Sequence, residues 1–248
     1  MRDLVYPPVI GFAKTALKVL DLKFQLTGAE NVPRTGGAVI AMNHISYVDF
    51  VLGGFGALPS KRLVRFMAKE VLFRNRYSGP LMRGMHHIPV DRSAGTASYR
   101  QALEYLNAGE VVGVFPEATI SRSFELKEFK SGTVRMAAEA AVPVIPLILW
   151  GTQRMLTKDH PRDFSRHRTI AITVGEPITV TPDDDPAEAT THLRSTMAGM
   201  LDRTIRAYPE QPAGAWWLPA AYGGGAPTPE EAERLDREEL ARRAARGK

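Results

Sequence analysis

A histidine and an aspartate stand five residues apart in Asn43-His44-Ile45-Ser46-Tyr47-Val48-Asp49-Phe50, directly after the apolar run Ala38–Met42. Imidazole is the side chain best matched to proton transfer at neutral pH, and a nearby carboxylate can hold its tautomer and stabilise its charged form. Residues five apart do not face each other on a regular helix, where neighbours are three or four apart. The pair can meet only if His44 lies on the turn before a helix begins. Ser46 followed three residues later by Asp49 is such a start signal, a capping-box-like pair. The same spacing also fits a purely structural arrangement, with Asp49 a first-turn acid, Ser46 a cap and His44 incidental.

Three further segments keep this one company. Gly84-Met85-His86-His87-Ile88-Pro89-Val90-Asp91-Arg92 puts an arginine just past a strand, and Val111-Val112-Gly113-Val114-Phe115-Pro116-Glu117-Ala118-Thr119-Ile120-Ser121 puts a glutamate at another strand end. Ala141-Val142-Pro143-Val144-Ile145-Pro146 leads into a third. A metal site from His44, Asp49, His86 and His87 is the competing use of these residues. Adjacent strand residues point to opposite sides, and no zinc-ligand spacing occurs, so no metal is expected. There is no G-x-S-x-G elbow for a serine hydrolase.

The elements that must position these groups alternate. Apolar, β-branched runs at residues 38–42, 63–68, 87–90, 111–115, 144–150 and 169–174 read as strands. Helical patterns lie between them at residues 97–108, closed by Gly109, and 131–141, closed before Pro143. This predicts an α/β fold around a mostly parallel sheet flanked by helices, whose strand-to-helix turns collect the chemistry. Residues 1–27 are expected to carry an amphipathic helix over 9–24, either packed on the domain or lying in a lipid interface. Residues 28–210 form the main domain, with a helix from Pro182-Asp183-Asp184-Asp185 to about Tyr208. Residues 211–248 are an extension, with the linker Gly223-Gly224-Gly225-Ala226-Pro227 and a charged tail over 230–246 that is solvated on most faces and given no chemistry.

The four segments in this order resemble the glycerol-phosphate and lysophosphatidate acyltransferase family, whose blocks run N-H-x-S-x-x-D, G-x-x-x-I-x-R, F-P-E-G-T-R-S and V-P-[IV]-x-P. The likeness covers roughly residues 28–175. It implies an O-acyltransferase in which His44 is the general base and Asp49 its orienting partner. Arg92 would bind the acceptor's phosphate, Glu117 and Thr119 would shape the acceptor pocket, and Pro146 would belong to the wall. Phe129-Lys130-Ser131-Gly132-Thr133 is similar to a lysine-glycine segment that follows the third block in many members.

Two departures bear on the acceptor. Val90 and His86 replace the usual isoleucine and glycine of the second block. In the third block Ala118 and Ile120 stand where the family has glycine and arginine, so one phosphate-binding cation is missing. Arg122, Lys127 and Lys130 can replace its charge, and Arg122 and Lys130 join the expected substrate-binding set. The expected acceptor is a lysophospholipid, foremost 1-acyl-glycerol-3-phosphate, with another lysolipid or a glycolipid as the alternative. The donor is acyl-CoA or acyl carrier protein, a co-substrate, and no cofactor is implied. A non-catalytic lipid-binding protein of the same fold is the reading from another class, though it has no need of a base with its orienter. An ester hydrolase would differ only in its acceptor, water.

The chain's 248 residues suffice for one sizeable core, and 44% hydrophobic with 24% charged residues is ordinary for a globular protein. It has no cysteine, which excludes disulfides, thiolate metal sites and cysteine nucleophiles. A formal charge of +5 suits an anionic membrane surface or coenzyme phosphates, and no nucleic-acid-binding motif accompanies it. No stretch is apolar for long enough to span a bilayer, and Lys14 and Lys18 interrupt any signal-peptide core. The expected location is cytoplasmic, peripheral on the cytoplasmic face of the membrane.

Overall fold

The computed structural model describes residues 3–91 and 95–246. The chain begins with α1 (Tyr6–Val19), β1 (Lys23–Thr27), β2 (Ala38–Met42), α2 (Asp49–Phe55) and β3 (Val64–Lys69). Two short helices, α3 (Val71–Arg74) and α4 (Ser78–Gly84), precede β4 (Ile88–Val90), α5 (Gly95–Asn107) and β5 (Val111–Val114). Then come α6 (Gly132–Glu139), β6 (Val144–Trp150), β7 (Thr169–Val174), α7 (Pro186–Ala207) and α8 (Pro229–Arg246).

The seven strands form one sheet in the order β1-β7-β6-β2-β5-β3-β4. Every neighbouring pair is parallel except β6 with β7. Every residue of β2 and of β6 is buried, as continuous apolar runs must be when helices cover both faces of a sheet. One face packs Val39, Ala41 and Val112 against α5, α6 and α7, through side chains such as Leu106, Val134 and Met197. The other sets Ile40 and Met42 against Leu52 of α2, with Leu17 of α1 at its edge. This is the α/β architecture expected from the strand and helix periodicities.

Departures lie at the two ends. The helix expected over 9–24 stops at Val19, and Asp21 takes the left-handed conformation with φ +48°. The residues after it, Lys23–Thr27, are an exposed edge strand that pairs with β7. The helical period continued through Phe24 because its ring stacks on Phe55 of α2, 6.0 Å away, an apolar contact that periodicity alone cannot assign to helix or strand. At the other end, Trp217, Leu218 and Ala226 enter the same core cluster as Met197 and Tyr208, so the extension packs on the main body.

Ala118, in the turn that follows β5, has φ +60°. A Cβ in the left-handed region costs about 1–2 kcal/mol, which glycine does not incur. This is the position where the family's third block carries glycine. Ala118→Gly should stabilise the fold by about 0.5–1 kcal/mol after the greater freedom of the unfolded chain is counted, raising the melting midpoint by about 2–3 °C. An unchanged or lower midpoint would mean that the alanine methyl makes contacts worth more than the strain.

Candidate active site

The carboxyl ends of three adjacent strands, β6, β2 and β5, converge on His44. Asn43 carries the β2–β6 pairing one residue beyond Met42: its Nδ2 donates to Leu149 O at 3.0 Å and its Oδ1 accepts from Leu149 N at 2.7 Å. His44 then opens the turn, and Asp49 is the first residue of α2. Asp49 is 0% exposed, and its Oδ2 accepts from His44 Nδ1 at 3.0 Å and from the backbone N–H groups of Ile45 and Ser46, each at 2.7 Å. Oδ1 accepts from the Thr152 hydroxyl at 2.6 Å. A carboxylate only accepts, so Nδ1 of His44 bears the proton and Nε2 presents its lone pair. Among the described residues Nε2 has no hydrogen-bond partner, and the ring is 21% exposed. This arrangement can take a proton from a group delivered to Nε2.

Helix α2 begins with Val48 at its N-cap and no side-chain cap, so the expected capping box is only half made: Asp49 accepts from Ser46 N, while Ser46 Oγ accepts from Val48 N at 3.2 Å and donates to Leu156 O at 2.6 Å. The backbone N–H groups from His44 to Asp49 are engaged within the chain. His44 N donates to Glu117, Ile45 N and Ser46 N to Asp49, Tyr47 N to Leu156 O, Val48 N to Ser46 Oγ and Asp49 N to Ser46 O.

Thr152 was not legible in the sequence. It stands 103 residues from its partner, and its place depends on Gly151, whose φ of +93° turns the chain at the end of β6 and whose missing Cβ would meet Thr169 O at 2.4 Å. A glycine directly after an apolar strand was the one local hint of a turn.

Glu117 lies in the turn after β5, buried, with Oε1 accepting from His44 N at 2.8 Å and Oε2 from Lys127 N at 3.0 Å. Burial pushes its carboxyl up to about 7, against the two backbone donors and the Lys127 charge, which favour the ionised form. Its neighbour in the strand end, Phe115, stacks on the His44 ring with centroids 4.2 Å apart. Phe66 stacks on Phe115 at 6.4 Å and also lines a small apolar cleft of about 50 Å³ between α1 and α2, bounded by Tyr6, Val9, Ile10, Phe50 and Gly54.

The other expected residues fall in different places. Thr119 Oγ1 accepts from Lys127 Nζ at 2.9 Å. Lys130 is exposed, its backbone N–H donating to Pro116 O at 3.0 Å. Arg122 is not a free cation: its side chain is 5% exposed, and it pairs with Asp159 at 2.6 Å, Glu239 at 2.9 Å and Asp236. Three carboxylates already occupy its fork of donors, which removes the expected role at the acceptor. Pro146 sits within β6 opposite Ala41, its carbonyl accepting from Gly175 N, below the strand ends that carry His44 and Thr152. Arg92 lies outside the described residues.

No group of three or more potential metal ligands exists among the described residues. His86 has φ +56°, and His87 is buried between the rings of Tyr6 and Phe66, its Nδ1 accepting from Phe66 N at 3.1 Å. Burial lowers its pKa to about 4 and keeps it neutral.

A mostly parallel sheet with a histidine–aspartate pair at its carboxyl edge is an arrangement able to move a proton. The chain belongs to the acyltransferase family, whose model matches residues 23–150, and it is an O-acyltransferase. It is 32% identical over 171 residues to the 1-acyl-sn-glycerol-3-phosphate acyltransferase of Bacillus subtilis, covering 67% of this chain and 81% of that protein. The enzyme of the same name from Borreliella burgdorferi is 27% identical over 150 residues, and the chain spans 58% of its length. The crystal structure of the 1-acyl-sn-glycerophosphate (LPA) acyltransferase from Thermotoga maritima shares the fold, with TM-score 0.67 and 21% identity over 82% of this chain and 81% of that one.

Asp49→Asn should keep the fold, at a cost near the 1 kcal/mol of a lost cap, while turnover falls roughly 10²-fold or more. Thr152→Val, which leaves Oδ1 without its donor, should destabilise by about 1–3 kcal/mol. Denaturation midpoints measured beside initial rates separate the two effects, and equal losses of stability and rate in Asp49→Asn would leave only the capping role.

Glu117 also makes stability depend on pH. With its folded pKa raised to about 7 and the ordinary value at 4.5, the native state holds more protons than the unfolded one between these limits. Its contribution is therefore complete below about 4.5 and is lost as pH rises through about 7. Between pH 5 and pH 8 the wild type should lose more stability in urea than Glu117→Gln does. Parallel curves would mean that the carboxyl is already ionised at pH 5.

Proposed function

We propose that the chain transfers a fatty acyl group from acyl-CoA or acyl carrier protein to the free hydroxyl of a lysophospholipid, foremost 1-acyl-glycerol-3-phosphate, giving phosphatidate. The observation that carries this reading is Nε2 of His44, which has no hydrogen-bond partner among the described residues, backed by an Asp49 that accepts from four donors. The acceptor hydroxyl gives its proton to Nε2 as its oxygen attacks the thioester carbonyl; the thiolate leaves and receives that proton. Asp49 holds the ring in the required tautomer and offsets the imidazolium charge, a general-base contribution of roughly 10²–10⁴ in rate. Arg92, Glu117, Thr119 and Lys130 are the proposed acceptor-side residues. The names of the relatives in Bacillus subtilis and Thermotoga maritima favour a phosphate-bearing acceptor.

The test is a panel of lysolipids, with and without phosphate, offered with one labelled acyl thioester and read by mass spectrometry. Phosphatidate should be the main product, and His44→Ala should retain less than about a hundredth of the turnover. Release of free fatty acid with no acylated lipid would make the protein a hydrolase and overturn this reading.

Access to such substrates calls for attachment to an anionic membrane surface, proposed here on the cytoplasmic face. No described helix is long and apolar enough to cross a membrane. Helix α1 packs through Tyr6, whose hydroxyl donates to Val64 O at 2.7 Å, yet it leaves Phe12 77% exposed and Val19 66% exposed beside Lys14 and Lys18. Exposed apolar side chains on a short helix that also exposes two lysines suit a headgroup layer, at about 1 kcal/mol per basic residue near the surface. Changing Phe12 to Ser with Lys14 and Lys18 to Glu should weaken sedimentation with anionic vesicles, and the charge effect should shrink with salt. Unchanged sedimentation would move the contact to another surface.

A further inference from the structure

Lys127 and the C-terminal helix meet at the acceptor side of the site, a junction that the four family blocks do not include. Lys127 Nζ donates to Thr119 Oγ1 at 2.9 Å and to Asp236 of α8, while its backbone N–H holds Glu117. An ammonium has three donors, and two are used here. Its side chain is 30% exposed, against 5% for Arg122 and 13% for Lys158. Arg122 and Lys158 each divide their charge between Asp236 and Glu239. Lys130 has an exposed side chain without such a brace. The arginine expected at position 120 is replaced by the buried Ile120, so the turn itself carries no cation at that point.

Resting on the proposed lysophosphatidate reading, we propose that Lys127 is the cation that receives the acceptor's phosphate in this chain, and that Asp236 is the residue that positions it. Among the described residues Asp236 is the one carboxylate paired with Lys127, while Asp159 and Glu239 take part of the charge of Arg122 and Lys158, so Asp236 fixes the direction of the Lys127 side chain and leaves its third donor for the phosphate. A lysine held at both Thr119 and Asp236 loses less conformational freedom on binding than a free surface lysine does. The tail helix thereby acts on acceptor choice from more than a hundred residues away in sequence.

The experiment compares lysophosphatidate with a monoacylglycerol of the same chain, in one detergent and with one thioester donor. Lys127→Ala should lower the ratio of kcat/KM for the phosphate acceptor over the neutral one at least about tenfold, the scale of a lost charge-assisted hydrogen bond, and Lys127→Arg should restore most of it. Asp236→Asn should raise KM for lysophosphatidate about threefold or more, with kcat within about twofold. Binding of glycerol 3-phosphate by calorimetry reads the same cation without turnover, so a protein that acylates no lysolipid would refute the proposed reaction and still test Lys127. Unaltered selectivity and glycerol 3-phosphate affinity in Lys127→Ala would overturn the proposal. So would a lower KM in Asp236→Asn, which would make the carboxylate a competitor of the phosphate, or a fall in kcat and melting temperature with KM unmoved, which would make it a structural brace.

Discussion

A carboxylate with no solvent exposure is tolerated in a protein only when donors replace the water it has lost, and Asp49 depends on four of them. They come from two strand ends: His44 Nδ1, Ile45 N and Ser46 N from the turn after β2, and Thr152 Oγ1 from beyond β6. Satisfying that charge therefore fixes three things together: the path of the turn, the entry angle of α2 and the orientation of the imidazole. The geometry needed for proton transfer follows from the geometry needed to bury the aspartate.

The sheet makes this possible. Because β2 lies between β5 and β6 and is parallel to both, three consecutive strands deliver their carboxyl ends to one edge. The same arrangement brings Glu117 under the backbone of His44, and Ser121 N to the His44 carbonyl at 2.8 Å. The turn is thus held from both sides. Glu117, buried and tied to His44 N and Lys127 N, links the turn after β2 to the segment that carries Thr119 in one hydrogen-bonded frame.

Two charge clusters tie the chain's ends to this frame. Arg65, 1% exposed within β3, pairs with Asp3 at 2.7 Å and Glu110 at 3.1 Å and so anchors the start of the chain. Arg122, Lys127 and Lys158 do the same for α8 through Asp236 and Glu239. Partly buried pairs of this kind are worth more as constraints on position than as net stability, because desolvation offsets much of their attraction. Their consequence here is that α8 is tied to the segment that carries Thr119, and the residue Asp3 before α1 to the start of β3.

The strands at 38–42, 144–150 and 169–174 were legible to the residue, because fully buried strands in a parallel sheet are uninterrupted apolar runs bounded by polar or turn residues. His44, Asp49 and Glu117 were legible as well, since a strand end followed by a helix start leaves polar residues at fixed offsets. Beyond these, local sequence ran out. The edge strand 23–27 has no burial pattern of its own and exists through its pairing with β7. Arg122 belongs to the expected substrate-binding set and Lys127 does not, and neither Thr152 nor Asp236 is singled out in the sequence. The chain's own chemistry set what could accept, donate or be buried; only the tertiary structure decided which groups met, because hydrogen bonds and ion pairs between residues separated by a hundred positions depend on the packing that brings them within 3 Å.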